Sequence, residues 1–327
     1  MKLGVGLDWQ GELDRDALFA QVAAADRGGV HSVWVAEAWG RDAFSLLTQI
    51  AERTKRVQLA TAIVNVYSRS PGALAQHFAT LDELSGGRAI IGLGVSGPNV
   101  IEHFHGVKFE KPLARIRETV EVIDTLLAGR PLVHHGEVFQ LERGFTLRFQ
   151  PVRPHIPVFI ASLGPRSVRQ TAEIADGWLP IWTPLAELAG EISRFRAAGK
   201  GRPLLVRSAG TTVVTTDVPR ALKAARRVLA FYVARMGDFY REHLSRLGYG
   251  EVATAIARAY AEGGSGVGLA ATPEDLTLAM GLVTGSVDEA RARLAAEAAA
   301  GVDIHQVRLD GFPPEEMARI YAELAAD

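Results

Sequence analysis

The chain has 327 residues, 36 Lys+Arg against 37 Asp+Glu for a formal net charge of −1, and no cysteine. These numbers exclude a disulfide framework, a cysteine zinc or iron–sulfur site and a cysteine nucleophile, and they leave no electrostatic footprint for nucleic acid or an anionic membrane. The 33 glycines exceed the usual ~7% share, which points to tight turns or close approaches of backbone to a ligand. In chain order, residues 3–7 read as a short apolar strand. Residues 14–28 read as a helix with Leu18, Val22 and Ala25 on one face and Gly28-Gly29 ending it. Residues 32–36 are the second strand, 42–53 the second helix with Leu46, Leu47 and Ile50 inward, and 57–63 the third strand. A third helix over 71–84 has proline in its first turn. Strand 89–93 and helix 112–127 follow.

Residues 131–150 break this rhythm. Strand patterns around Val138-Phe139 and over 146–149, separated by Arg143-Gly144, predict a small hairpin excursion. The alternation resumes with strand 158–161, helix 165–175, strand 177–181 and a seventh strand within 204–215. A long Ala/Arg-rich helical region, extending as an insertion from near 218 to near 280, is too long for one crossover. Gly263-Gly264-Ser265-Gly266 reads as a flexible break in it. Helix 287–300, strand 304–309 and helix 314–325 complete the chain. Eight continuous apolar strands alternating with helices predict one (β/α)8 TIM barrel with insertions, an α/β fold in a single domain over residues 1–327. The rival, a doubly wound sheet, would need Gly-x-Gly-x-x-Gly after the first strand. The chain has Leu7-Asp8-Trp9-Gln10-Gly11 there. No apolar run reaches membrane-span length and no secretory pattern opens the chain, so a cytoplasmic protein is expected.

In such a barrel the active site lies at the carboxyl ends of the strands. Two neighbouring ends are glycine-rich: Gly94-Val95-Ser96-Gly97 and Ser162-Leu163-Gly164-Pro165. Main-chain N–H groups there, helped by a helix start at Pro165, can hold a phosphate. The same glycines also serve as ordinary strand–helix turns. Trp9, Trp39 and Trp182 at three further ends suggest an apolar pocket for a planar ligand, or packing of loops over the barrel mouth. Asp8 and Glu37 at its rim could act as acid or base, or cap helices. His103 with His105, and His134 with His135, lack a carboxylate at metal-site spacing, so no metal is expected. The absence of a Gly-x-Ser-x-Gly elbow argues against a serine nucleophile. The basic run over 220–235 reads as the solvated face of a helix.

Four stretches carry a family resemblance along essentially the whole chain. They are Ser32-Val-Trp-Val-Ala-Glu37-Ala-Trp-Gly-Arg-Asp42, Thr61-Ala-Ile-Val-Asn-Val-Tyr-Ser-Arg-Ser-Pro71, Ile90-Ile-Gly-Leu-Gly-Val-Ser-Gly97 and Ala161-Ser-Leu-Gly-Pro165 with Ala175-Asp-Gly-Trp178. Together with Ala79-Thr-Leu-Asp-Glu-Leu-Ser-Gly-Gly-Arg88, the sequence resembles the luciferase-like monooxygenase superfamily. Within it, the chain resembles the deazaflavin (coenzyme F420)-dependent oxidoreductases, and is similar to methylenetetrahydromethanopterin reductase. The resemblance implies a redox ring across the strand ends, with hydride transfer between coenzyme F420 and a small organic substrate. An FMN-dependent monooxygenase of the same fold is the alternative. It implies a non-proline cis peptide at Ala62–Ile63 backing the ring, with Thr61 and Asn65 beside it. Ring contact would come at Glu37, and the cofactor phosphate would lie on Gly94, Ser96, Gly97, Leu163, Gly164 and Pro165. Trp9, Trp39, Tyr67 and Trp182 would line the substrate space, with Glu37 or Asp8 as proton donor. Ala38 and Gly97 stand where sugar-phosphate dehydrogenases of the group carry His and Glu, so a glucose-6-phosphate substrate is not expected. A homodimer is the implied assembly.

Overall fold

The computed structural model describes residues 1–7 and 12–326. Its first half runs β1 (Leu3–Gly6), α1 (Arg15–Arg27), β2 (Ser32–Ala36), α2 (Ala43–Arg53), β3 (Gln58–Asn65), α3 (Pro71–Ser85) and β4 (Ala89–Gly94). Local chemistry sets the helix starts. Asp14, Asp42 and Ser70 each accept the main-chain N–H three residues on, and Gly86 ends α3 in the left-handed conformation. The short α4 (Pro98–His103) and the longer α5 (Pro112–Leu127) follow β4.

The hairpin excursion is β5 (Leu132–His135) paired antiparallel with β6 (Gln140–Phe145). Its turn lies over 136–139 and not at Arg143-Gly144, which correct the predicted strand positions. The cause is Glu118 on α5. Its carboxylate accepts the N–H groups of Glu137, Val138 and Phe139 at 2.7–3.1 Å and contacts His134 at 3.3 Å. These bonds gather the chain into a turn where no turn dipeptide marks one.

The second half continues with β7 (Val158–Ala161), α6 (Pro165–Ile174), β8 (Gly177–Leu179), α7 (Leu185–Ala198), β9 (Leu205–Val206) and β10 (Thr212–Thr215). The insertion is α8 (Val218–Arg235), α9 (Asp238–Arg246), α10 (Gly250–Ala270) and α11 (Glu274–Met280). Then come β11 (Leu282–Thr284), α12 (Val287–Ala300), β12 (His305–Asp310) and α13 (Pro314–Ala325). The expected break at 263–266 is a kink inside α10, where Gly264 alone leaves helical geometry at φ 72°.

All strands except the hairpin lie in one parallel sheet, ordered β11-β10-β12-β1-β2-β3-β4-β7-β8-β9. A bridge between Arg207 and Ile304 brings β9 against the start of β12 and curls the sheet round. Ser208 N–H donates to Ile304 O at 2.9 Å across this seam. The predicted seventh strand is two strands, and β11 was not expected. Gly210 explains the division: a Cβ there would lie 1.8 Å from Met280 O, so the chain passes hard against the end of α11 and picks up β11 as a new neighbour.

Outward side chains of the strands, such as Leu3, Val5, Val33, Leu59 and Ile91, pack against Leu18, Leu47, Ile50, Phe78 and Ile123 of the helices. Inward ones form a second cluster of Trp34, Ala60, Ile90, Phe159, Leu179 and Ile304. Burial on both faces is why the strands read as unbroken apolar runs. Above Trp34 and Phe159 the inner face turns to small residues: Gly6, Ala36, Ala62, Gly94 and Ala161. The barrel is therefore plugged below and recessed above.

Candidate active site at the strand ends

The recess is shaped by a bulge in β3. Against β2, Val35 pairs with Thr61 and Ala36 with Ile63; against β4, Ala60 pairs with Ile90 and Val64 with Leu93. The first register makes Ala62 the extra residue, and the second places one extra residue within 61–63. The Thr61 hydroxyl replaces the interrupted ladder, contacting Gly92 N and Gly92 O at 2.8 Å each. Only glycine fits opposite, because a Cβ on Gly92 would lie 1.6 Å from Thr61 O. The Ala62–Ile63 peptide is trans, which corrects the expected cis bond. The extra residue and the Thr61 bridge displace the strand at this point. Thr61 is fully buried behind the bulge.

Glu37 ends β2 but is not a free acid. Its Oε1 accepts from Arg69 Nη1 at 2.5 Å, and its Oε2 from Ala43 N–H at 2.9 Å and Arg69 Nη2 at 3.1 Å. Arg69 also reaches Asp42 Oδ1 at 2.7 Å. Burial disfavours the Arg69 charge, but the hydrogen bonds and charges of Glu37 and then Asp42 outweigh it and hold the guanidinium above its ordinary range. Burial likewise opposes ionisation of Asp42, yet hydrogen bonds from Ser45 and the Arg69 charge keep its carboxyl below the usual range. The trio clamps the end of β2 to the start of α2.

Asn65 closes β3 and is buried. Its Oδ1 accepts the N–H groups of Tyr67 at 3.0 Å and Ser68 at 2.7 Å, which fixes the amide orientation and turns Nδ2 to His105 Nε2 at 3.2 Å. Burial lowers the His105 pKa. A neutral ring accepting from Asn65 carries its proton on Nδ1. Tyr67 is buried behind the strand. Its hydroxyl donates to Glu110 O at 2.9 Å and its ring stacks on Phe109, which is packing and not a pocket wall.

The two glycine-rich ends stand side by side because β4 pairs with β7. Gly164 starts α6 and Gly97 starts α4, neither with a side-chain cap. The nearest atoms to a Cβ at these glycines would be Ser167 Oγ at 3.6 Å and Met236 O at 3.7 Å. Ser96 holds φ 58°, a conformation that strains a residue with a side chain. The insertion reaches both loops: Met236 follows α8, and Arg246 on α9 donates to Leu163 O at 3.0 Å.

Trp39 is half-exposed and meets Phe231, while Trp182 meets Tyr232, so consecutive residues of α8 touch both tryptophans. Trp182 has φ 52°, and its indole Nε1 is buried without a partner. Beside it, burial lowers the His243 pKa to about 4, and the ring meets Thr183 Oγ1 at 3.2 Å. Asp8 and Trp9 lie outside the described residues. Sequence spacing does not single out Arg69, Arg207, Gln306 and Arg246, and it brings up His105 only beside His103 as a rejected metal pair. Only Arg69, inside the third-strand motif, carried a local signal. The others are placed by folding, Arg246 across 83 residues from Leu163.

Residues 5–304 match the luciferase-like monooxygenase family. This chain belongs to the luciferase-like monooxygenase family. A Mycobacterium tuberculosis family member named as a coenzyme F420-dependent oxidoreductase is 34% identical over 92% of this chain and 93% of its own. The 5,10-methylenetetrahydromethanopterin reductase of Archaeoglobus fulgidus is 31% identical over 91% of this chain and 90% of its own. Among solved structures, the coenzyme F420-dependent tetrahydromethanopterin reductase of Methanopyrus kandleri superposes with a TM-score of 0.82 at 25% identity. That match covers 98% of this chain and 97% of the reductase.

Proposed function

We propose that this luciferase-like protein is a coenzyme F420-dependent oxidoreductase acting on a small organic molecule. One observation carries the reading: a recess floored by the Ala62 bulge and by small inner residues lies beside two uncapped glycine-rich loops on adjacent strands. A flat ring with a phosphate-bearing tail matches that shape, and one relative and one solved structure that each match over 90% of the chain carry F420-dependent names. When bound, the deazaflavin supplies a ring carbon that accepts or releases hydride.

The chain's own residues supply position and exclusion of water. Ala62 and Ile63 would back the ring, and Gly94 leaves room beside them because a Cβ there would meet Ile63 Cδ1 at 2.4 Å. The N–H groups about Ser96, Gly97, Leu163 and Gly164 would hold the phosphate, beside the Arg246 guanidinium that donates to Leu163 O. Trp39 and Trp182, joined by Phe231 and Tyr232, cover the substrate side. Glu37 fixes the β2 end through Arg69, so proton transfer falls to other groups at the mouth. His105, whose pKa burial lowers and which meets Asn65, is the titratable side chain that supports this role.

A homodimer belongs to the same reading, supported by the exposed Val133 and Phe145 of the hairpin, which a second copy would cover. A cytoplasmic setting goes with it, because the cofactor must be returned to its starting redox state by enzymes sharing its compartment. Among the described residues, no helix is long and apolar enough to cross a membrane. Titration of the purified protein with coenzyme F420 and separately with FMN tests the cofactor. Saturable F420 binding is expected. Tight FMN binding without F420 binding would replace this reading with a flavin monooxygenase.

A further inference from the structure

Arg207 follows β9, and the alternation that turns Leu205 to the inner cluster and Val206 to the outer one turns Arg207 inward. Its guanidinium lies 5.0 Å from the centre of the Trp34 ring, at the level just below the small residues of the recess. Among the described residues its side chain makes one hydrogen bond, from Nη1 to the neutral amide oxygen Gln306 Oε1, at 3.2 Å. Its Nε is sealed from solvent with no partner. Among the described residues it has no carboxylate. Buried charges are normally paired, or give up their charge. Arginine cannot do the second: burial lowers its pKa only to about 10, so the group stays cationic at neutral pH.

The surroundings hold the cation in place. Gln306 lies over Gly6, where a Cβ would come 2.4 Å from Gln306 Nε2. Trp34 lies over Gly4, where a Cβ would come 2.9 Å from Trp34 Nε1, and that indole N–H is occupied by Ser32 Oγ at 2.8 Å. Two glycines on β1 thus make room for the two side chains that seat the guanidinium. Higher on the same inner face, Arg308 is already paired with Asp310 at 2.8 Å, so that carboxylate is committed.

We infer that Arg207 is an anion-binding residue inside the barrel, and that it receives a negatively charged oxygen of the ligand that fills the recess. The planar fork favours a carboxylate or a similarly delocalised oxyanion. The inference rests on the proposed function only for what fills the recess. The oxygen belongs either to the cofactor ring or to the second reactant, and the test separates the two.

Formate is the probe, small enough to reach the partly buried guanidinium. Melting temperatures are compared in formate and in chloride at equal ionic strength, for wild type, Arg207→Met and Arg207→Lys. The wild type should gain stability in formate over chloride. Arg207→Met should lose that gain and, without anion, melt at or above wild type, because a partly buried cation without a carboxylate partner has been removed. Arg207→Lys keeps the charge without the fork and should retain part of the gain, which keeps the test intact if the methionine variant does not fold.

F420 titration of the same variants assigns the oxygen. Binding weakened about tenfold to a hundredfold places it on the cofactor. Unchanged binding places it on the second reactant. No formate-specific gain in wild type, or an equal gain in Arg207→Met, overturns the inference. A wild type that takes formate through Arg207 but binds no F420 refutes the cofactor reading and leaves the anion site standing.

Discussion

Gly92→Ala is the sharpest probe of the bulge that shapes the recess. The new methyl carbon would lie 1.6 Å from Thr61 O and 2.7 Å from Thr61 C. Both are main-chain atoms, so no side-chain rotation relieves the clash. Relief requires moving β3 from β4, which breaks the two 2.8 Å contacts of the Thr61 hydroxyl with Gly92. Overpacking costs about 1–3 kcal/mol and each buried hydrogen bond about 1 kcal/mol net, so the loss should be about 3–5 kcal/mol. At roughly 2 °C per kcal/mol for a chain of this size, melting should fall by on the order of 5–10 °C. Thermal denaturation followed by circular dichroism measures it, with Gly164→Ala as control. That methyl would meet nothing closer than Ser167 Oγ at 3.6 Å, so the control should melt within about 1 °C of wild type. A Gly92→Ala protein that melts with wild type would refute the bulge geometry.

Arg69→Met should destabilise by about 3–5 kcal/mol by stranding the buried Glu37 carboxylate, checked by urea denaturation. Glu37→Gln should lower stability yet leave the pH profile of turnover in place; a displaced limb of that profile would make Glu37 the proton donor after all. Glu118→Ala should release the N–H groups of Glu137, Val138 and Phe139, seen as faster hydrogen exchange confined to the 136–139 turn. His155 bridges Asp124 and Asp176, whose hydrogen bonds raise its pKa to about 10. A raised pKa means that its contribution is fully present below about pH 6.5 and fades as pH climbs through 10. The stability gap between wild type and His155→Gln should therefore narrow from neutral pH to pH 10.

Most barrel strands and the helices packed on them were legible because each carries its own signal. Asp14, Asp42 and Ser70 announce helix starts, and runs such as 32–36 announce strands buried on both faces. Where the structure departs from that reading, a distant residue decides. Glu118 moves the hairpin turn away from Gly144, and Met280 against Gly210 divides the predicted seventh strand. The site shows the same limit. The glycine ends at 94–97 and 162–164 are local features and were found. The commitment of Glu37 to Arg69, of Tyr67 to Glu110 O and of Arg207 to Gln306 depends on contacts across 32, 43 and 99 residues, which spacing along the chain does not encode.

The most direct measurement of the central claim is a crystal structure with bound coenzyme F420. The account places the ring against Ala62 and Ile63 and the tail phosphate within hydrogen-bond distance of N–H groups at Gly97 or Gly164. A ring bound elsewhere, such as in the surface concavity between α1 and α2 lined by Leu18, Phe19 and Ser45, would contradict it.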